Sequence, residues 1–244
     1  MFWHLVQSEI LKMRKTNIWL LLFVSPLLAF AVGLVATETM EGAINEWTTA
    51  LLMMTPVHTI LFLPLIIGVF TSFICRYEHK DGGWKQLLSL PVKRTQVYIS
   101  KFSLVMSLIA LNQILFMLCW ISVGLIKGFS DPFPTLVMFK SLVGGWIATL
   151  PLASIMLLVS MAWSSFAAPL ALNVVFTLPN ILVANSETYA PYYPWVQPFL
   201  TMIPKGDGPW GGFFVSFESI IFAIIGGFVI FFASGLVYIR RKAV

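Results

Sequence analysis

Six apolar runs, each close to the ~20 residues that cross the hydrocarbon core of a bilayer, set the terms on which this chain can fold. They read approximately Asn17 to Ala36, Leu51 to Ile74, Phe102 to Ile126, Leu142 to Met161, Phe166 to Ala184 and Phe213 to Ile239. Lipid offers no partner to a backbone N–H or C=O, so each run can satisfy its own hydrogen bonds only as a helix. The expectation is an all-α polytopic membrane protein with six transmembrane helices, in one domain covering residues 1–244. Composition agrees, because 59% of the residues are hydrophobic and only 10% charged, against about a quarter charged in a soluble domain.

The net charge of +5 is distributed as a membrane-orientation pattern and gives no nucleic-acid surface. Lys12, Arg14 and Lys15 precede the first run, Arg76, Lys80, Lys85, Lys93, Arg94 and Lys101 fall between the second and third, and Arg240, Arg241 and Lys242 follow the sixth. Those twelve of fifteen basic residues share one side of a six-span protein. By the positive-inside rule that side is the cytoplasm, which also holds both termini. Lys127, Lys140 and Lys205 are the exceptions.

Ala29-Phe30-Ala31 matches a signal-peptide cleavage pattern, but the segment before the first run is too long and too structured for a signal n-region. Trp3, Val6, Ile10 and Met13 form a stripe opposite His4, Gln7 and Lys15. Residues 2–15 therefore read as a helix in the cytoplasmic interface, the alternative being an ordinary soluble amphipathic start. On the outer side, Thr37 to Ala50 reads as a short acidic helix. Ser186 to Gly212 carries Tyr189, Tyr192, Tyr193, Trp195 and Trp210 among five prolines, so short helical pieces near the outer interface are expected. Simple aromatic anchoring is the competing reading.

Familiar chemistry is missing. No G-x-x-x-x-G-K-[ST] loop occurs, so nucleotide phosphates have no cradle here. His4, His58 and His79 lack metal-ligand spacing, and Cys75 and Cys119 sit at depths that a disulfide could not join. Nearly all acids lie in loops, against an intramembrane protease or an ion-coupled carrier. The exception is Glu218, a few residues into the sixth run. Asn112, Gln113, His58, Asn173 and Asn180 read as polar glue between helices.

The longest charged stretch is Arg76 to Lys101. Asp81 and Gly82-Gly83 can open a short helix, Trp84, Leu87 and Leu88 share one face, and Pro91 closes it. Thr95 reads as the cap of the third span. A helix this short is marginal in water, so its apolar face must rest on the membrane or a partner. Glu78, Gly82-Gly83-Trp84, Leu88, Pro91, Arg94, Tyr98 and Lys101 resemble the cytoplasmic loop of ABC-2 type transporter permeases, especially those of Gram-positive peptide-antibiotic export and lantibiotic immunity. The resemblance extends over almost the whole chain, although the family pattern often has Gly-Thr-Trp where this chain has Gly82-Gly83-Trp84.

The resemblance implies a permease in a bacterial plasma membrane that pairs with a second permease copy or homologue. It implies two ATP-binding subunits, with ATP and Mg on those partners and no cofactor on this chain. Glu78, Trp84, Lys85, Leu88 and Arg94 then become the coupling residues that meet an ATPase groove, the plainer alternative being that the lysines and Arg94 hold the loop near anionic lipid. Glu218, Tyr192, Tyr193 and Trp195 become the candidate substrate route for an amphipathic peptide. A membrane-embedded binding or sensor subunit without transport is the second reading, and a membrane enzyme the third.

Overall fold

A computed structural model describes residues 2–14, 16–36, 45–80, 82–89, 91–204 and 216–242. Among them there is no strand. Helix α1 (Phe2–Arg14) leads into α2 (Ile18–Ala36). Helix α3 (Glu46–His79) follows, then the short α4 (Gly83–Ser89) and the long α5 (Arg94–Lys127). Helix α6 (Thr135–Ala162) returns, followed by α7 (Ala167–Thr177), α8 (Asn180–Ala184), a 3-10 turn (Ala190–Tyr192), α9 (Gln197–Met202) and α10 (Phe217–Arg241).

Helices α2, α3, α5, α6 and α10 are long and apolar enough to cross a bilayer, and α7 is apolar but shorter. The fifth expected span, Phe166 to Ala184, is thus realised in two pieces. Pro179 divides them, because its ring clashes with the carbonyl four residues back and it has no N–H to continue the ladder. Helices α3, α5 and α6 form the centre, whereas α2 and α10 bury only 33% and 22% of their most apolar stretches.

Inside the bundle two buried asparagines, Asn112 and Asn180, sit where prolines have broken a helix ladder. Pro26 has no N–H for the carbonyl of Leu22, and Asn112 Nδ2 on α5 donates to that carbonyl at 2.7 Å. Pro64 likewise frees the carbonyl of Ile60, which accepts from Asn180 Nδ2 at 2.6 Å. A π-helical turn, Val57–Phe62, directly precedes Pro64, as expected where the i to i−4 ladder is interrupted. Asn173 ties α7 to α3 through the Pro64 carbonyl at 2.9 Å and accepts from Trp195 Nε1 at 2.8 Å. Buried hydroxyls turn back on their own helices, Thr55 to the Leu51 carbonyl and Thr71 to that of Ile67. For Asn112 and Asn180 the expected glue is a specific repair of backbone groups that lipid could not satisfy, whereas Gln113 and His58 bond the side chains of Met202 and Ser25.

The end of the bundle away from the basic loop is fastened by caps. Asp131 Oδ2 accepts from the Glu46 N–H at 2.6 Å, and Glu46 Oε2 accepts from the Ser130 N–H at 2.8 Å. Trp47 lies against Gly124, where any side chain would collide with its ring. The expected acidic helix over Thr37 to Ala50 is instead the start of α3 from Glu46, and residues 37–44 lie outside the described residues. The proline-broken stretch folds inward more than an interfacial location predicts. Pro191 and Pro194 to Leu200 are buried, and Ser141 Oγ on α6 donates to the Met202 carbonyl at 3.1 Å. Pro209 and Trp210 lie outside the described residues. Both cysteines are free.

Asn112→Ala should cost about 1–3 kcal/mol, the desolvation penalty of an orphaned buried carbonyl. In a Pro26→Ala background, where residue 26 regains its N–H, most of that cost should vanish. Thermal unfolding of the four proteins in detergent measures the coupling, and equal costs in both backgrounds would show that the Asn112 amide does not serve the Leu22 carbonyl.

Candidate coupling site at the charged end of the bundle

Two glutamates and two lysines from three helices meet at the charged end. Lys12 Nζ on α1 lies 2.7 Å from Glu9 Oε1 and 2.6 Å from Glu78 Oε1 at the end of α3. Lys101 Nζ, two turns into α5, lies 2.9 Å from Glu9 Oε2 and 2.9 Å from Glu78 Oε2. Lys101 also donates to the Ile74 carbonyl at 3.0 Å. The charges alternate around a square with no net charge. Lys101 is fully buried and Glu9 and Glu78 are each 4% exposed, so the square survives only because every ion faces two of opposite sign.

The sequence prepares this in part. Glu9 stands one turn before Met13 on the face of α1 turned to the bundle, with Leu5 and Val6 beside it, while Trp3 and His4 face away. The expected stripe of Trp3, Val6, Ile10 and Met13 is thus rotated, with Met13 and Glu9 buried and Trp3 exposed.

Helix α4 hangs beside the square. Gly82 adopts φ +72, the left-handed conformation that favours glycine, and turns the chain back at once. A Cβ on Gly83 would come within 2.6 Å of the Tyr77 carbonyl oxygen and 2.9 Å of Glu78 Cα, so α4 starts in direct contact with the end of α3. Both glycines therefore have a physical reason. Asp81, the expected cap, lies outside the described residues, and so does the side chain of Leu88.

Carbonyls at the ends of two helices, α6 and α10, are bound by side chains around α4. Trp84 Nε1 donates to His79 Nδ1 at 3.3 Å, which leaves the hydrogen on Nε2 to bond the Ser160 carbonyl of α6 at 2.8 Å. Lys242, just past α10, donates to the Met161 carbonyl at 2.7 Å and sits 4.4 Å over the Trp84 ring. Burial holds the Lys242 ammonium below the usual lysine range. Arg94 donates to the carbonyls of Lys242 at 2.7 Å and Arg240 at 3.2 Å, closing the end of α10.

The sequence-expected residues thus separate into two sets. Glu78 and Trp84 face inward, and Arg94 binds the chain's own last helix. Lys85, with Gln86 and Ser89, is exposed on the other side of α4. Leu87 packs on the core as the apolar stripe predicts. Thr95 is not the cap of α5, a position held by Lys93. Sequence reasoning missed Glu9, Lys12, His79 and Lys242 as parts of this site. Lys101 stood in the sequence as the last basic residue before the third run and as part of the family resemblance, and the structure places it inside the long helix α5, where an ionisable residue needs a partner.

At the opposite end, Glu218 is exposed in the first turn of α10, whose cap is Ser216. Tyr192 is exposed, whereas Tyr193 Oη donates to the Phe176 carbonyl at 2.6 Å and Trp195 is buried. The 3-10 turn that ends at Tyr192 packs on α10, so the four share one region while only two present free surface.

A bundle of long apolar helices, with a short helix held across its charged end, defines a multi-pass membrane protein. The model of the ABC-2 family transporter proteins matches residues 5–180, and the chain belongs to that family. It is 24% identical over 144 residues to the bacitracin transport permease protein BCRB of Bacillus licheniformis, an overlap covering 56% of this chain and 69% of that protein. The chain is accordingly a transporter permease subunit.

Lys101→Met leaves Glu9 and Glu78 as neighbouring buried acids with Lys12 as their shared cation. A loss of about 3–5 kcal/mol is expected, read as a drop in the unfolding midpoint in detergent. Adding Glu9→Gln should restore part of it. A midpoint unchanged by Lys101→Met would contradict the square.

Proposed function

We propose that this permease serves an ATP-driven exporter that carries an amphipathic peptide antibiotic or bacteriocin out of a bacterial plasma membrane, as in lantibiotic immunity. Two ATP-binding subunits supply ATP and Mg, a second permease copy or homologue completes the pathway, and both termini face the cytoplasm. Family membership and the likeness to a bacitracin permease support the substrate class. The twelve-to-three bias of basic residues supports the orientation.

The observation that carries the reading is α4 itself. It is braced to α3 by Trp84 and His79, tied to α6 and α10 through Lys242, and leaves Lys85 exposed. A push on such a helix reaches three spans at once. In this mechanism Lys85, with Leu88, meets the ATP-binding subunit, Trp84 and Arg94 transmit the motion, and Glu78 holds the pivot through the ion square. No step requires a cofactor on this chain. At the outer end, Glu218 and Tyr192 meet a cationic amphipathic peptide, and Tyr193 and Trp195 hold the segment that presents Tyr192.

Cells carrying the permease and its ATP-binding partner should survive higher doses of a cationic peptide antibiotic than cells lacking it. Lys85→Glu should reduce both survival and co-purification of the ATPase. Tyr192→Ala should lower survival only, by the equivalent of about 0.5–2 kcal/mol of cation attraction to a ring. Survival is compared at equal membrane abundance. If neither removal of the permease nor Lys85→Glu alters susceptibility to any peptide tested, the proposal fails.

A further inference from the structure

Between the ends of α3 and α6 and the first turn of α7 lies a cavity of about 470 Å³ whose lining contains no carboxylate. Arg76 and Lys80 stand at its rim, and Ser164 and Ser165 come from the link between α6 and α7. No ion pair is made by Arg76 or Lys80 among the described residues. The square differs: there every cation is matched, and here, among the described residues, two are not.

Arg76 is also held in place. Its guanidinium lies 5.5 Å from the ring centroid of Phe166 and 6.0 Å from that of Phe73. Stacking of this kind positions the charge without neutralising it. Hydroxyls of Ser164 and Ser165 add short donors of the kind that bind phosphate oxygens. Phe166 gives α7 no side-chain cap, so the positive end of that helix borders the same space. Trp163 and Phe166 line it as well and are exposed by 43% and 36%, as aromatics at headgroup depth are.

We propose that this cavity binds the phosphate group of an anionic ligand, either a phospholipid headgroup from the adjoining leaflet or a free phosphate from water. The fork of Arg76 pairs with two phosphate oxygens, Lys80 supplies a second charge, and the serine hydroxyls complete the shell. His79 forms one wall through the side chain that also receives the Trp84 hydrogen bond. Occupancy therefore braces the seat of α4, independently of which substrate the permease moves.

Native mass spectrometry of the full chain in detergent, supplied with phosphatidylglycerol or phosphatidylcholine, tests this, with inorganic phosphate in a parallel thermal-shift series. Each cation near an anionic headgroup is worth roughly a fivefold factor, so the Arg76→Gln, Lys80→Gln double variant should retain phosphatidylglycerol about thirtyfold more weakly. Phosphatidylcholine should bind weakly to both, and Lys140→Gln, an exposed change far from the cavity, should behave as wild type. A selective phosphatidylglycerol adduct lost in the double variant establishes the lipid source. Stabilisation by inorganic phosphate alone, lost in the same variant, establishes the free anion. Equal retention of both lipids by wild type and variant, with no phosphate effect that depends on Arg76 and Lys80, overturns the proposal.

Discussion

The ion square of Glu9, Lys12, Glu78 and Lys101 is the contact on which the charged end of the molecule depends. It joins α1, the end of α3 and the start of α5 without leaving a net charge among apolar neighbours. Its geometry also explains a division of labour. With Glu78 spent on internal ion pairs, the exposed face of α4, with Lys85, Gln86 and Ser89, is basic and polar, and an acidic or polar groove would complement it. The cost of desolvating four ions is offset only in the complete set, so α1 cannot swing away without exposing or stranding charge. Helix α1, read from the sequence as an interfacial helix, is therefore fastened into the bundle.

Along the membrane interior a second rule operates. At two prolines that remove an N–H from a packed span, Pro26 and Pro64, an amide side chain from another helix takes the stranded carbonyl, Asn112 that of Leu22 and Asn180 that of Ile60. These pairs connect α5 to α2 and the broken α7–α8 segment to α3. At these two places proline and buried asparagine thus act as one unit. The buried segment before α10 follows the same logic, since irregular backbone is tolerated at depth only where protein satisfies it. Gln197 Nε2 bonding the Pro191 carbonyl at 2.8 Å is an instance.

Much of this was legible in the sequence because hydrophobic run length and basic-residue placement are local signals. The runs ending at Ala36 and near Ile239 match α2 and α10 closely. Helices α3 and α5 extend beyond their runs, to Glu46 and Arg94, because polar residues at their ends find caps and ion partners that hydropathy cannot register. The short helix α4 was visible from Gly82-Gly83 and Pro91. What stayed hidden depends on tertiary partners: the inward turn of Glu9 and the internal use of Trp84 and Arg94. The first had a faint signal, an acid on the same face as Leu5 and Met13, whereas Lys242 over Trp84 joins residues too distant in sequence for any pattern to pair.

The central claim is that α4 is held on the bundle by its Trp84 face and meets an ATP-binding subunit with its Lys85 face. Photo-crosslinking in cells that express the permease with its ATPase tests this most directly, using a crosslinking residue placed in turn at 85, 86, 89 and 140. The account predicts adducts with the ATPase from 85, 86 and 89 and none from 140. Adducts from 140, or none from the exposed face of α4 in a complex that still hydrolyses ATP, would contradict it.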